Sequence, residues 1–228
     1  MMRAAASSRK RVSHLLRGLL GDVGGVALVE FAYSLPFMTI LGLGGIEVAN
    51  YSMVHMRVSQ IAVSLADNAS RAKEQIDSGV PYMREYDVNE AFRAADVQSG
   101  GLDIQSNGRL ILSSLETNPD NSNRQWIHWQ RCFGARTEYE SSYGKEGDGT
   151  SGSSFKGMGP SGRVLTAEKE YAIMFAEVVY DYQPMLFGRF IPIEPIRKTA
   201  AMYVRDDRGL QDGLKNPDPQ STKNMCGG

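Results

Sequence analysis

The sequence predicts an α+β protein in which a long N-terminal helix, first membrane-spanning and then amphipathic, packs on a small antiparallel β-sheet. Three observations carry this expectation. Residues 26–46 read VALVEFAYSLPFMTILGLGGI, an apolar run interrupted by one charge. Beyond it Val54, Val58, Ile61, Leu65, Ala69, Ala72 and Ile76 recur at spacings of three and four, the period of one helix face. From about residue 109 the period changes to two without intervening helices, which argues for an antiparallel sheet that needs a cover on one face.

The elements follow in chain order. Residues 1–25 hold Arg3, Arg9, Lys10, Arg11 and Arg17 against Asp22 alone, so the leader is +4 and the remainder −5 of a net charge of −1. A basic leader ahead of an apolar run predicts a cytoplasmic N-terminus and an exported remainder. As a helix rising ~1.5 Å per residue, 26–46 covers roughly 30 Å, the thickness of a bilayer core. A buried helix of a soluble protein would carry a polar stripe, and none is present. The run is longer than a secretory signal core, and no small-x-small cleavage site follows it. Within it, an ionised Glu30 costs a few kcal/mol unless it snorkels to the interface or finds a cation. Pro36 removes a backbone donor and predicts a kink or a short unwound stretch. Gly42, Gly44 and Gly45 fit either close helix packing or local flexibility.

Glu47 closes the span. Residues 47–78 then continue as an amphipathic helix, with Asn50, Arg57, Gln60, Asp67, Arg71 and Lys73 between the apolar positions. Ser78, Gly79 and Pro81 are expected to end it at about Asp77. The region 79–204 is the exported α+β domain, with a short helix at 88–98 and strands at 109–115, 125–132, 170–183 and 196–204. The third strand is the strongest, since Ala172, Met174, Ala176, Val178, Tyr180 and Tyr182 share one face. Residues 144–162, GKEGDGTSGSSFKGMGPSG, contain no phosphate-cradling pattern and are expected as a flexible surface loop. Glu146 and Asp148 in that loop lack the ligand alternation of a calcium loop. The polar tail, 205–228, would be disordered if left free. A bridge from Cys132 to Cys226 would fasten it, closing a loop worth ~4 to 5 kcal/mol in a chain-entropy treatment, in an oxidising compartment.

Composition narrows the function classes. Lysine plus arginine total 25 against 26 acidic residues, so there is no basic footprint and no nucleic-acid partner is expected. Two cysteines without a CxxC pair exclude a four-cysteine zinc site. His14, His55 and His128 belong to no HExxH or other metal spacing, and no GxSxG is present. His128 and Cys132, four apart in a strand, would sit ~13 Å from one another, too far for thiol activation. Glu138 and Glu140 beside Tyr139 read as a solvated loop. No enzymatic activity, cofactor or metal is expected.

The run Gly24-Gly25-Val26-Ala27-Leu28-Val29-Glu30-Phe31 resembles the processing site of type IV prepilins: glycine, four apolar residues, then glutamate at the fifth mature position. With the basic leader, the apolar run, Leu35-Pro36-Phe37 and Gly45-Ile46-Glu47, the chain resembles the TadE-like minor pseudopilins of the tight-adherence (Tad) pilus. The motifs cover about 25–51; the rest is similar in general plan only. The resemblance implies a pilin-like fold and cleavage by a prepilin peptidase between Gly25 and Val26. It also implies docking in which the freed amine of a neighbouring subunit pairs with Glu30, with Pro36 and Glu47 as further marks of the membrane segment. The implied partners are the prepilin peptidase, other Tad pilins and pseudopilins, the inner-membrane assembly platform and membrane lipid. The implied location is the bacterial inner membrane, single-pass, with a cytoplasmic N-terminus, a periplasmic domain and possible incorporation into an extracellular adhesion pilus. The large exported domain departs from the tiny shaft pilins of that system. The competing expectation is an uncleaved, single-pass anchored periplasmic protein whose domain binds a partner.

Overall fold

A computed structural model of the 228-residue chain describes residues 18, 24–73, 79–121, 124–151, 155–186, 194–205, 208–210 and 212–227. The basic leader, apart from Gly18, Gly24 and Gly25, and the expected helix end at 74–78 lie outside these. The elements are α1 (Gly24–Arg71), α2 (Glu85–Ser99), a 3-10 turn (Gly100–Leu102), α3 (Ile104–Asn107), β1 (Gly108–Thr117), β2 (Gln125–Phe133), β3 (Ile173–Tyr180) and β4 (Ile196–Tyr203). The chain divides into two compact units, Met1–Ala49 and Asn50–Gly228.

In the second unit the four strands form one antiparallel sheet in the order β2-β1-β3-β4. The helical stripe read from the sequence covers one face: Val58, Ile61, Leu65 and Ala69 of α1 and Val88, Phe92 and Ala95 of α2 are fully or almost fully buried. They meet Leu110, Leu112, Trp129, Ala172, Met174, Ala176, Val178, Tyr180 and Tyr182 in one core. Phe92 stacks on Phe133 with centroids 5.8 Å apart. Each fully buried Leu, Ile or Phe contributes about 1.5–3 kcal/mol, so this face dominates the stability of the domain. The α+β arrangement, a long helix on a small antiparallel sheet, is therefore the observed fold.

The expected end of the first helix is corrected. The α1 helix ends at Arg71, short of 77, and Ala72 and Lys73 are already non-helical. The Arg208 guanidinium stops it by donating to the carbonyls of Ala69 (2.9 Å) and Ala72 (2.6 Å), partners that the last turn of a helix lacks. Residues 144–162, expected as a surface loop, are irregular and mostly exposed in their described part, yet Phe155 and Met158 reach back onto the second face of the sheet. Met158 is fully buried with Leu115, Ile127, Ala167, Ile173 and Phe175, and Tyr143 and Phe155 pack on them. The segment docks along the β2 edge: Ile127 N donates to Asp148 O (2.9 Å) and Gly147 N to Ile127 O (2.8 Å). Gly149 (φ 89°) and Gly157 (φ 130°) lie in the left-handed region with neighbouring backbone where a Cβ would sit, so only glycine fits. At these two positions glycine reflects close backbone packing.

The tail is fastened at several points of its described length. Lys215 pairs with Arg84 and Met225 with Arg131, and Cys132 N donates to Asn224 O at 2.8 Å.

Candidate functional site

The first feature that demands a partner is the N-terminal part of α1. An 18-residue window of this helix has a mean hydropathy of 1.7, and none of it is buried. Phe31, Tyr33, Phe37, Met38, Ile40 and Leu41 are each more than 60% exposed. Side chains of this size left in water forgo roughly 25 cal/mol per Å², and a contiguous row of them marks a membrane or protein interface. The helix is long and apolar enough to span a bilayer once, which is consistent with single-pass anchoring.

The predicted site residues sit on this helix as follows. Gly25 lies in its first turn with open space around it, and Val26 is half-exposed. Glu30 is exposed one turn further on. Pro36 is internal and exposed, and of the expected kink or unwound stretch the unwinding is absent, because helix continues on both sides of it. Nearby hydroxyls turn back on the backbone, Ser34 Oγ to Phe31 O (3.0 Å) and Thr39 Oγ1 to Leu35 O (2.8 Å), which keeps them satisfied in an apolar medium. Gly42, Gly44 and Gly45 each have nothing within 4 Å of a Cβ. Glu47 is buried.

Cys132 and Cys226 form a disulfide, with Cα atoms 4.8 Å apart and 94 positions between them in sequence. It joins the tail to β2. The Arg109 guanidinium reinforces the join, donating to Gly134 O (2.7 Å) and Cys226 O (3.3 Å); burial pulls the Arg109 pKa down, against the charge of Glu138. His128 does not face this sulfur chemistry. Its Nδ1 lies 2.9 Å from Glu116 Oε2, and Ser114 Oγ donates to the other oxygen of Glu116 at 2.6 Å.

Sequence reasoning missed three buried charges. Arg131 of β2 is 6% exposed and Glu85, in the first turn of α2, 1%. Arg131 Nε and Nη2 reach the Glu85 carboxylate at 2.6–3.1 Å, and Nη1 reaches Glu146 at 2.8 Å. Burial disfavours the guanidinium charge, but hydrogen bonds and charge from Glu85, then Glu146, outweigh it and raise the Arg131 pKa. The group clamps α2, β2 and the 141–167 segment together. Glu177, at the centre of β3, is fully buried on the opposite face. Burial raises its pKa, while the Ser141 hydroxyl, the Ser142 N–H (3.1 Å) and Arg197 (3.3 Å) pull it down. One signal for it existed, an acid at an odd position of the apolar run IMFAEVVY.

Glu138 and Glu140 are exposed in an irregular segment, and the Tyr139 hydroxyl between them donates to Asp181; burial, then this bond, pushes its pKa up to about 12. Glu146 and Asp148 are likewise engaged within the domain, Glu146 by Arg131 and Gln130 N and Asp148 by Lys145 N. A cleft of about 510 Å³ lies at the β1–β2 turn end of the sheet among Glu116, Asn118, Trp126, Lys169, Tyr171 and Leu210. Its one buried acid is the Glu116 already bound by Ser114 and His128.

Fold and site together define an α+β domain carried on an uncovered apolar helix. No family model matches the chain, and no curated protein and no solved structure is similar to it.

Proposed function

We propose that the chain is a minor pseudopilin-like subunit of a Tad-type pilus, cleaved between Gly25 and Val26 and docked to its neighbours through Glu30. The observation that carries this reading is the placement of Glu30, exposed on an otherwise apolar and uncovered helix, one turn after a Gly-Val bond. A carboxylate in that setting is unfavourable alone and favourable beside a cation. Cleavage creates such a cation, the Val26 ammonium, on each neighbouring subunit. The pair then fixes axial register while the apolar faces of 26–46 pack together. Before assembly the subunit rests in the inner membrane with its leader in the cytoplasm and its domain in the periplasm, an oxidising compartment compatible with the disulfide.

The test is the mature N-terminus of the protein taken from its host with and without an active prepilin peptidase. The reading requires a chain beginning Val-Ala-Leu-Val-Glu in the first case and an uncut leader in the second. A chain that keeps its leader in both cases overturns it and favours the second reading, an uncleaved anchor whose domain binds a periplasmic partner. Separately, Glu30→Ala is expected to leave insertion and folding intact and to abolish co-purification with other pilins. Undiminished co-purification refutes the pairing.

A further inference from the structure

We propose that the domain does not hang free of the bilayer but rests on it, through an end face formed by Tyr51, Met53, Met185 and Leu186 whose ligand is the lipid interface. This rests on reading 26–46 as a membrane span.

Strand register fixes which end of the domain this is. Gly108 pairs with Tyr180 at one end of the sheet, and Leu115 with Ile173 at the other. Tyr182, two residues past β3, accepts a hydrogen bond at its hydroxyl from Asn50 Nδ2 at 2.7 Å. The Tyr51 ring stands edge-on to Tyr182 at 5.0 Å and to His55 at 4.4 Å. Met185 and Gln183 share a recess with Asn50, Met53 and Arg57. The connection that leaves β3 therefore lies beside Asn50, the residue at which the domain begins.

Chain length fixes how far that residue can be from the membrane. Asn50 lies four steps along the chain from Ile46, the last of the apolar run; these span ~6 Å as helix and at most ~14 Å fully extended. The headgroup layer adds roughly 5–8 Å to each side of the hydrocarbon core, and any tilt of the span lowers Asn50 further. The face at this level has the composition of an interfacial surface. Met185 is 64% exposed, Met53 48%, Leu186 46% and Tyr51 36%. Tyrosine, with an apolar ring and a polar tip, is enriched at that depth, and methionine and leucine there exchange water for acyl chain.

The experiment places a tryptophan on the face of the full chain, reconstituted into phosphatidylethanolamine–phosphatidylglycerol vesicles with and without phospholipid brominated on its acyl chains. Met185→Trp is the probe, Phe37→Trp the control within the span, and Tyr171→Trp the control at the opposite end of the sheet. The native Trp126 and Trp129 are common to all three. The inference requires bromolipid to reduce the added emission about twofold in Met185→Trp and Phe37→Trp but not in Tyr171→Trp, as expected of a ring at the interface. Quenching of Phe37→Trp without quenching of Met185→Trp overturns the inference and leaves the membrane span standing. An unquenched Phe37→Trp overturns the span and the inference with it. Leu186→Trp is a second probe of the same face, read in the same way should Met185→Trp fail to form the Cys132–Cys226 bridge.

Discussion

Removing the bridge between Cys132 and Cys226 tests how the domain keeps its C-terminal tail. The informative perturbation is the double substitution Cys132→Ser with Cys226→Ser, which leaves no unpaired thiol. The bridge spans 94 positions, and the loop-closure expression for a loop of about that length gives ~4.7 kcal/mol at 25 °C. In a domain of this size that lowers the melting temperature by roughly 10–20 °C. The effect acts on the unfolded chain, because the native tail has other ties: Cys132 N to Asn224 O (2.8 Å), Asn224 to Asn89 (2.7 Å), Asn89 to Thr222 O (2.9 Å), and Arg208 on the end of α1. The double variant should therefore keep the native tail contacts while unfolding at lower denaturant. Urea unfolding of the detergent-solubilised full chain, followed by far-UV circular dichroism, supplies the stability. Hydrogen exchange at the amide of Cys132, or of the serine that replaces it, reports whether the tail stays docked. A loss below about 1 kcal/mol would refute the entropic account, since the unfolded chain would then already be compact. A larger loss accompanied by immediate exchange at that amide in the native state would refute it differently, by showing the tail held by the sulfur bond alone.

Three further outcomes follow from the buried and titrating groups. Arg131→Met leaves Glu85 buried without its cation and should destabilise by about 3–5 kcal/mol, whereas adding Glu85→Leu should restore most of it; a double variant no more stable than the single one would contradict the clamp. Burial, then the charge of Lys198, holds the His55 imidazole below its ordinary value of 6.5. The unfolded chain then binds the proton more readily, so stability should fall as pH drops through about 6.5. His55→Gln should flatten that slope in urea midpoints measured from pH 7.5 to 5.5, and an unchanged slope would rule out the assignment. Of the ten tyrosines, Tyr139 should keep its proton until about pH 12, and burial, then Asp103 and Asp181, also raises Tyr180. Absorbance at 295 nm should lose one late step in Tyr139→Phe; a single transition of all phenols near their ordinary value of 10 would contradict the Tyr139–Asp181 bond.

The helix and the sheet were legible because each writes its period into consecutive residues. Val54, Val58, Ile61, Leu65 and Ala69 declare one helical face, and Ala172 to Tyr182 one strand face, without knowledge of what lies opposite. The helix end was not legible, because what stops α1 is Arg208, 136 residues beyond the Ala72 carbonyl that it caps. Propensity carried the expected helix on to Asp77, and a tertiary contact decided otherwise. The Arg131–Glu85 clamp has the same character: its partners are 46 positions apart, and neither carries a local signal.

The glycine-rich segment shows why composition misled about the second face. Glycine and serine over 144–162 read as freedom, yet Gly149 and Gly157 are there because backbone passes too close for a side chain. The contrary signal was in the strands. Every residue of β3 is buried, and so is β1 up to Glu116, and a strand apolar on both faces needs two covers. Ile173, Phe175 and Val179, alternating with the even row, already required a second layer, and with no further helix in the sequence to supply it, the only long stretch left was 134–169. The same logic applies to α1 in reverse. An apolar row from Phe31 to Leu41 that the chain covers nowhere among the described residues calls for a cover outside it, and Glu30, just ahead of that row, either reaches the interface or takes a cover that brings a cation. Lipid alone suits the row; under the proposed cleavage, a neighbouring copy of the helix would suit both the row and the carboxylate.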